Sequence, residues 1–149
     1  MKTALISTIL FLLSFVATAQ MAEPVKWSFK AEKISNNDYK VTLTASIEEG
    51  WYVYSQDLPN KGPIPTQIKF DKNPQIILDG KTVEMGTKKE DFDQNFNMTV
   101  TKLVGQTNYF QKVVRVGDAK EVKGSLFFMT CNGQVCMPPK KVDFNISLN

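Results

Sequence analysis

Apolar residues in this chain recur at every second position and nowhere sustain a helical spacing. Tyr39, Val41, Leu43, Ala45 and Ile47 alternate with polar residues, and Val142, Phe144, Ile146 and Leu148 repeat the pattern near the end. Successive side chains of a strand point to opposite faces, so such runs bury one face and wet the other. The chain is therefore expected to be all-β.

Further strands follow the same rule. Trp27, Phe29 and Ala31 share a face, and the turn Asn36-Asn37-Asp38 joins them to the run from Tyr39. Glu49-Gly50 ends that run, and Trp51-Tyr52-Val53-Tyr54 starts a third strand. Short strands are predicted over residues 64–70 and 75–78, with Asp79-Gly80 as a hairpin turn. Others are predicted over 98–104, 108–116, 122–130 and 141–148. Eight or nine short strands separated by turn residues predict an immunoglobulin-like antiparallel β-sandwich of two sheets. Two segments read as loops: 55–65, rich in Pro and Gly, and 87–97, polar yet carrying Phe92 and Phe96.

A chain of 149 residues suits one domain. With 42% hydrophobic and 22% charged residues it is globular rather than disordered. The net charge is +3, and Lys88-Lys89 and Lys140-Lys141 are the only basic doublets. No basic stripe interleaved with aromatics marks a nucleic-acid partner. The absence of histidine removes Ser-His-Asp and Cys-His catalysis and most zinc sites. No metal and no cofactor is expected, and a monomer is.

Residues 1–19 read as a secretory signal peptide: Lys2, an apolar run from Ala4 to Val16, then the small-x-small Ala17-Thr18-Ala19. The mature domain is expected to span 20–149. The apolar run is shorter than the 20 or so residues a membrane span needs, no cysteine follows the cleavage point, and no later segment is apolar enough to cross a bilayer. The mature protein is expected outside the cytoplasm, where disulfides persist.

Only two cysteines are present, Cys131 and Cys136, spaced by Asn132-Gly133-Gln134-Val135. They follow the apolar strand 126–129 and precede Met137-Pro138-Pro139. Asn132-Gly133 is a turn-forming dipeptide that can bring the sulfurs together. A disulfide closing a ring of about six residues contributes only about 2 kcal/mol through chain entropy. That favours exchange over stapling by a narrow margin, because the spacing is not C-x-x-C and no helix follows to lower a thiol pKa.

Other sites are weaker. Glu48-Glu49 and Glu90-Asp91 with Asp93 read as solvated loop charges before acid–base or calcium chemistry. The sequons at Asn97 and Asn145 matter only in a eukaryotic secretory pathway. Trp51, Tyr52 and Tyr54 could form a sugar platform, but sheet packing accounts for them better.

Two stretches together carry a family resemblance: Gly50-Trp51-Tyr52-Val53-Tyr54-Ser55-Gln56, running on to Gly62-Pro63-Ile64-Pro65-Thr66, and Cys131-x4-Cys136-Met137-Pro138-Pro139. Over residues 24–148 the chain resembles the N-terminal periplasmic domain of the thiol:disulfide interchange protein DsbD. The resemblance implies an immunoglobulin-like sandwich in the periplasm that acts as a protein-disulfide reductase component. Its electron donor would be a thioredoxin-like or membrane thiol reductase, and its acceptors periplasmic disulfide-bearing proteins. By position, Cys136 would form mixed disulfides with partners and Cys131 would resolve them. A capping phenylalanine would shield the pair, and Phe92 is preferred over Phe96 for that place.

The chain departs from the family pattern in three respects. The gap between its cysteines is one residue shorter, the segment around Phe92 and Phe96 matches poorly, and no membrane or thioredoxin-like segment follows. A separate reductant is therefore expected. The competing expectation is an immunoglobulin-like module that binds protein or glycan and carries an inert disulfide.

Overall fold

The computed structural model describes residues 23–59 and 61–149, so the signal-peptide assignment lies outside the described residues. The alternating segments become nine strands. These are β1 (Val25–Lys33), β2 (Asp38–Ile47), β3 (Tyr52–Tyr54), β4 (Gln67–Phe70), β5 (Ile76–Asp93), β6 (Met98–Arg115), β7 (Glu121–Phe128), β8 (Thr130–Cys131) and β9 (Lys140–Ser147). All pair antiparallel, in a six-stranded sheet and a three-stranded sheet. The fold is the expected immunoglobulin-like all-β sandwich.

The long strand β6 organises the larger sheet. Along one edge it pairs first with β3 and then with β2, and along the other with β5. β1 extends β2, and the two-residue β8 extends β3, so β8 forms a sheet edge. The small sheet runs β4-β7-β9. Tyr39, Val41, Leu43 and Ala45 from β2, Leu103, Tyr109 and Val113 from β6, and Leu126, Phe128, Phe144 and Ile146 from the small sheet form the main core. Period-two alternation delivers each of them to the inner face. A second, smaller cluster of Tyr52, Tyr54, Val100, Met129 and Cys131 lies apart from it.

Four sequence expectations are corrected. Residues 87–93 are strand rather than loop, paired from Thr87↔Val104 to Asp93↔Met98. Their charges read as loop, yet an edge strand tolerates charge and is kept from aberrant pairing by it. Asp79-Gly80 is not a hairpin turn. β5 runs on through it, with a register shift between Asp79 and Val83 and Gly80 at φ 75°. Four steps along β5 match two along β6 there, so the strand takes in two extra residues as an irregularity without ending. The predicted strands 98–104 and 108–116 are one strand, and Gly105 inside it takes φ 65°. Finally, strand 122–130 divides at Met129, where the chain leaves the small sheet and crosses to the large one as β8. That crossing carries Cys131 out of the main core.

Candidate functional site

Cys131 and Cys136 form a disulfide with their Cα atoms 4.1 Å apart. The intervening residues fold as a tight hairpin. Asn132 N–H donates to Val135 O at 3.1 Å, and Asn132 Oδ1 accepts from the N–H groups of Gln134 and Val135 at 3.0 and 2.9 Å. Gly133 sits at φ 87°, in a left-handed conformation that glycine adopts without steric cost. Met137 N–H returns to Thr130 O at 2.9 Å, which aims Pro138-Pro139 toward β9. Cys131 is 0% exposed, whereas Cys136 lies exposed on the outside of the hairpin.

Strand register decides what surrounds the buried sulfur. Tyr52 pairs with Cys131 across β3–β8, and Tyr54 pairs with Lys102 across β3–β6. Directly paired residues share a face, so Tyr52, Tyr54, Cys131 and Lys102 all project to one side of the sheet. Lys102 also pairs with Lys89 of β5, and alternation then brings Asp91 and Asp93 to that same face. This is the face opposite the main core.

The polar groups there close into a network. Tyr54 Oη donates to Asp93 Oδ2 at 2.7 Å, and Tyr52 Oη donates to the same oxygen at 3.2 Å. Asn95 N–H donates to Asp93 Oδ1 at 3.0 Å. Lys102 Nζ lies 3.4 Å from Asp93 Oδ2, 3.6 Å from Asp91 Oδ2 and 4.4 Å from the Tyr52 ring centroid. Tyr54 Oη is 3.4 Å from Cys131 Sγ. A phenol carries one proton, and the nearer, charged acceptor takes it. In the disulfide form the Tyr54 hydroxyl is thus committed to Asp93.

Burial alone would raise the pKa of Asp93. The hydrogen bonds from Tyr54 and Asn95, the Lys102 charge and the Tyr52 bond outweigh it, and the pKa is lowered. Burial would likewise lower the pKa of Lys102, but Tyr52 and the two carboxylates raise it. Burial first, then the bond to Asp93, drives Tyr54 far above the ordinary tyrosine value. Asp93 and Lys102 are therefore a charged pair, and Tyr54 is a neutral hydroxyl between that pair and the sulfur.

Phe96, rather than Phe92, packs at the site. Residues 94–97 form the turn between β5 and β6, and the Phe96 ring meets Tyr54 edge-on with centroids 6.0 Å apart. Phe96 is among the residues packed on the cluster that contains Cys131, as are Leu58 and Ile64 of the loop after β3. Phe92 follows Asp91 and precedes Asp93, so alternation turns it to the other face, where it is 52% exposed. Asn95 Nδ2 reaches Cys136 Sγ at 3.9 Å from the same turn. Tyr52 and Tyr54 are buried and offer no sugar platform. The sequence reading passed over Lys102 and gave Asp93 no part in the site. The signal that finds Asp93 is the period-two spacing of Asp91 with Asp93 and of Tyr52 with Tyr54, whereas Lys102 joins them only through strand register.

The fold and site define an immunoglobulin-like sandwich with a single cysteine-pair hairpin at a sheet edge. The pattern described as "Thiol:disulfide interchange protein DsbD, N-terminal" matches residues 18–148. The chain belongs to this family. Solved structures share the fold. The reduced N-terminal domain of DsbD from Neisseria meningitidis has a TM-score of 0.56 at 19% identity, over 85% of this chain and 86% of that one. The N-terminal periplasmic domain of ScsB from Proteus mirabilis has a TM-score of 0.55 at 18% identity, over 83% of this chain and 45% of that one. A complex between the DsbD and PilB N-terminal domains, again from N. meningitidis, gives 0.53 at 16%, over 87% and 88%. No curated protein matches. Family membership and the close cysteine pair fit thiol–disulfide exchange. Among the described residues, no helix is long and apolar enough to cross a membrane.

Proposed function

We propose that the chain is an exported carrier of reducing equivalents that works in the periplasm through Cys131 and Cys136. The observation that carries this reading is the asymmetry of the pair: one sulfur is sealed in a cluster and the other faces outward. Exchange proceeds by attack of a thiolate on one sulfur of a disulfide, and access decides which sulfur is attacked. A donor thiolate attacks Cys136, the bond to Cys131 breaks, and Cys131 takes the electron pair. A second donor thiol then attacks the mixed disulfide and leaves both cysteines reduced. In the forward half-cycle Cys136 attacks an acceptor disulfide, and Cys131 resolves the mixed disulfide.

Phe96 covers the pair in this reading, on the strength of its contact with Tyr54 and the Cys131 cluster. The donor is a thioredoxin-like or membrane thiol reductase, and the acceptors are disulfide-bearing proteins. A relative solved in complex with another domain supports a protein partner.

The test is trapping. Cys131→Ala should accumulate a covalent complex with a donor domain on non-reducing gels, and Cys136→Ala should not. Equal trapping by both variants would overturn the assignment of roles. A disulfide that resists dithiothreitol would overturn exchange itself.

A further inference from the structure

We propose that Lys102 is a positioning residue for exchange: its ammonium shares the Asp93 carboxylate, so that the Tyr54 hydroxyl can turn to the Cys131 sulfur as that sulfur leaves. This rests on the exchange reading above.

The need for such a residue follows from burial. When a donor thiolate attacks Cys136, a new sulfur–sulfur bond forms to the donor and the Cys131–Cys136 bond breaks. The electron pair passes to Cys131 Sγ, which becomes a thiolate with no exposure to water. A buried anion without a hydrogen bond is costly. The polar group against this sulfur is the Tyr54 hydroxyl, at 3.4 Å. Its proton is committed to Asp93 at 2.7 Å. Were Tyr54 the sole partner of Asp93, turning it away would strand a buried carboxylate and gain nothing.

Lys102 removes that conflict. Asp93 keeps the Lys102 ammonium at 3.4 Å, the Tyr52 hydroxyl at 3.2 Å and the Asn95 N–H at 3.0 Å when Tyr54 leaves it. Rotation about one C–O bond then carries the Tyr54 hydrogen from the carboxylate to the new thiolate. Tyr54 lends a hydrogen bond and does not give up its proton. The proton that finally neutralises Cys131 comes from water, matching the one lost when the donor thiol ionised.

The charges around the sulfur make Lys102 the member that matters. On the sheet face that carries it are Tyr52 and Tyr54 from β3, Asp93 and the more exposed Asp91 from β5, and Lys102 from β6. Lys89, opposite Lys102, is exposed. Lys102 is only 7% exposed, and it lies within 4.0 Å of both carboxylates. Without it, the buried Asp93 carboxylate has no countercharge beside the hydroxyl that serves the forming thiolate.

The experiment uses the full chain with Lys102→Met, Lys102→Arg, Asp93→Asn and the double variant Asp93→Asn/Lys102→Met. The first readout is the rate of disulfide reduction by dithiothreitol across a pH series. The second is the thiol pKa of Cys131 by thiolate absorbance, in a Cys136→Ala background. Lys102→Met should slow reduction on the order of tenfold and raise the Cys131 pKa by about one unit. Lys102→Arg should restore most of the rate. The double variant should be no slower than Asp93→Asn alone, because Lys102 acts through Asp93. Should Lys102→Met fail to fold, Lys102→Gln makes the same comparison. An unchanged rate and Cys131 pKa in the lysine variant would overturn the proposal, as would a full slowing on top of Asp93→Asn. If the parent disulfide resists dithiothreitol, the exchange reading fails, and the Cys131 pKa still reports on Lys102.

Discussion

Phe96 meets Tyr54 edge-on, with ring centroids 6.0 Å apart and planes at 87°. The contact joins the β5–β6 turn to the strand beside the disulfide. Edge-to-face pairs of this kind contribute about 1 kcal/mol beyond the area they bury. Phe96→Ala should therefore cost about 1–2 kcal/mol of stability, less than a fully buried phenylalanine. It should also open the cysteines to small reagents. The reduced protein should react several-fold faster with oxidised glutathione, while Phe92→Ala, at an exposed position, should leave the rate unchanged. Equal effects of the two substitutions would remove Phe96 from its place over the site.

Asp93 predicts an acid limit to stability. Its folded pKa lies below the ordinary 3.8. A carboxylate with a depressed folded pKa contributes stability that is present above its unfolded pKa and lost as pH falls through the folded one. The chain should thus lose stability as pH drops below about 4, and Asp93→Asn should flatten that part of the profile. Asp93→Ala should cost about 3 kcal/mol at neutral pH, because it leaves Lys102 buried without its partner and strands two tyrosine hydroxyls. Urea midpoints from pH 3 to pH 7 give the comparison. A parent profile that stays level through that range would contradict the charged pair.

Much of this architecture was legible because a strand declares itself by period two. The core residues of β2 and β9 follow directly from alternation, and the cysteine hairpin follows from Asn132-Gly133. Residues 87–93 were hidden because a charged edge strand has the composition of a loop, and only its pairing with Met98–Val104 reveals it. Lys102 was hidden for a related reason. Its partners Asp93, Tyr54 and Tyr52 arrive from other strands through register, and register is a property of pairing rather than of local sequence. The division of labour between the cysteines could be expected from resemblance, but their burial depends on the sheet switch at Met129.

Gly124 separates stability from redox chemistry. A Cβ there would meet Lys69 O at 2.4 Å and the Phe144 ring at 2.5 Å, so the site admits no side chain without displacing β4 or the core. Overpacking of this kind costs about 1–3 kcal/mol. Gly124→Ala should lower the urea midpoint accordingly and leave the reduction potential of the cysteine pair where it was, since Gly124 lies in the small sheet and Cys131 at the edge of the large one. A shifted potential would show that the small sheet tunes the cysteines.

Reduction of the disulfide should leave the fold standing, because the hairpin has its own fastening. Asn132 Oδ1 holds two N–H groups and its backbone N–H a third bond, while Met137 is tied to Thr130. Losing a ring of about six residues costs only about 2 kcal/mol. Cys131→Ser/Cys136→Ser should therefore unfold cooperatively at a modestly lower urea midpoint. Asn132→Ala tests the same geometry from the other side. Without the side-chain acceptor the reduced hairpin is looser and its sulfurs meet less often. Two hydrogen bonds of about 1 kcal/mol each are removed, and only part of their effect falls on the reduced state. The potential should then rise by roughly 20–30 mV, toward easier reduction. Equilibration against glutathione buffers measures it. No change would mean that the sheet edge alone, through Thr130 and Met137, keeps the two sulfurs in register.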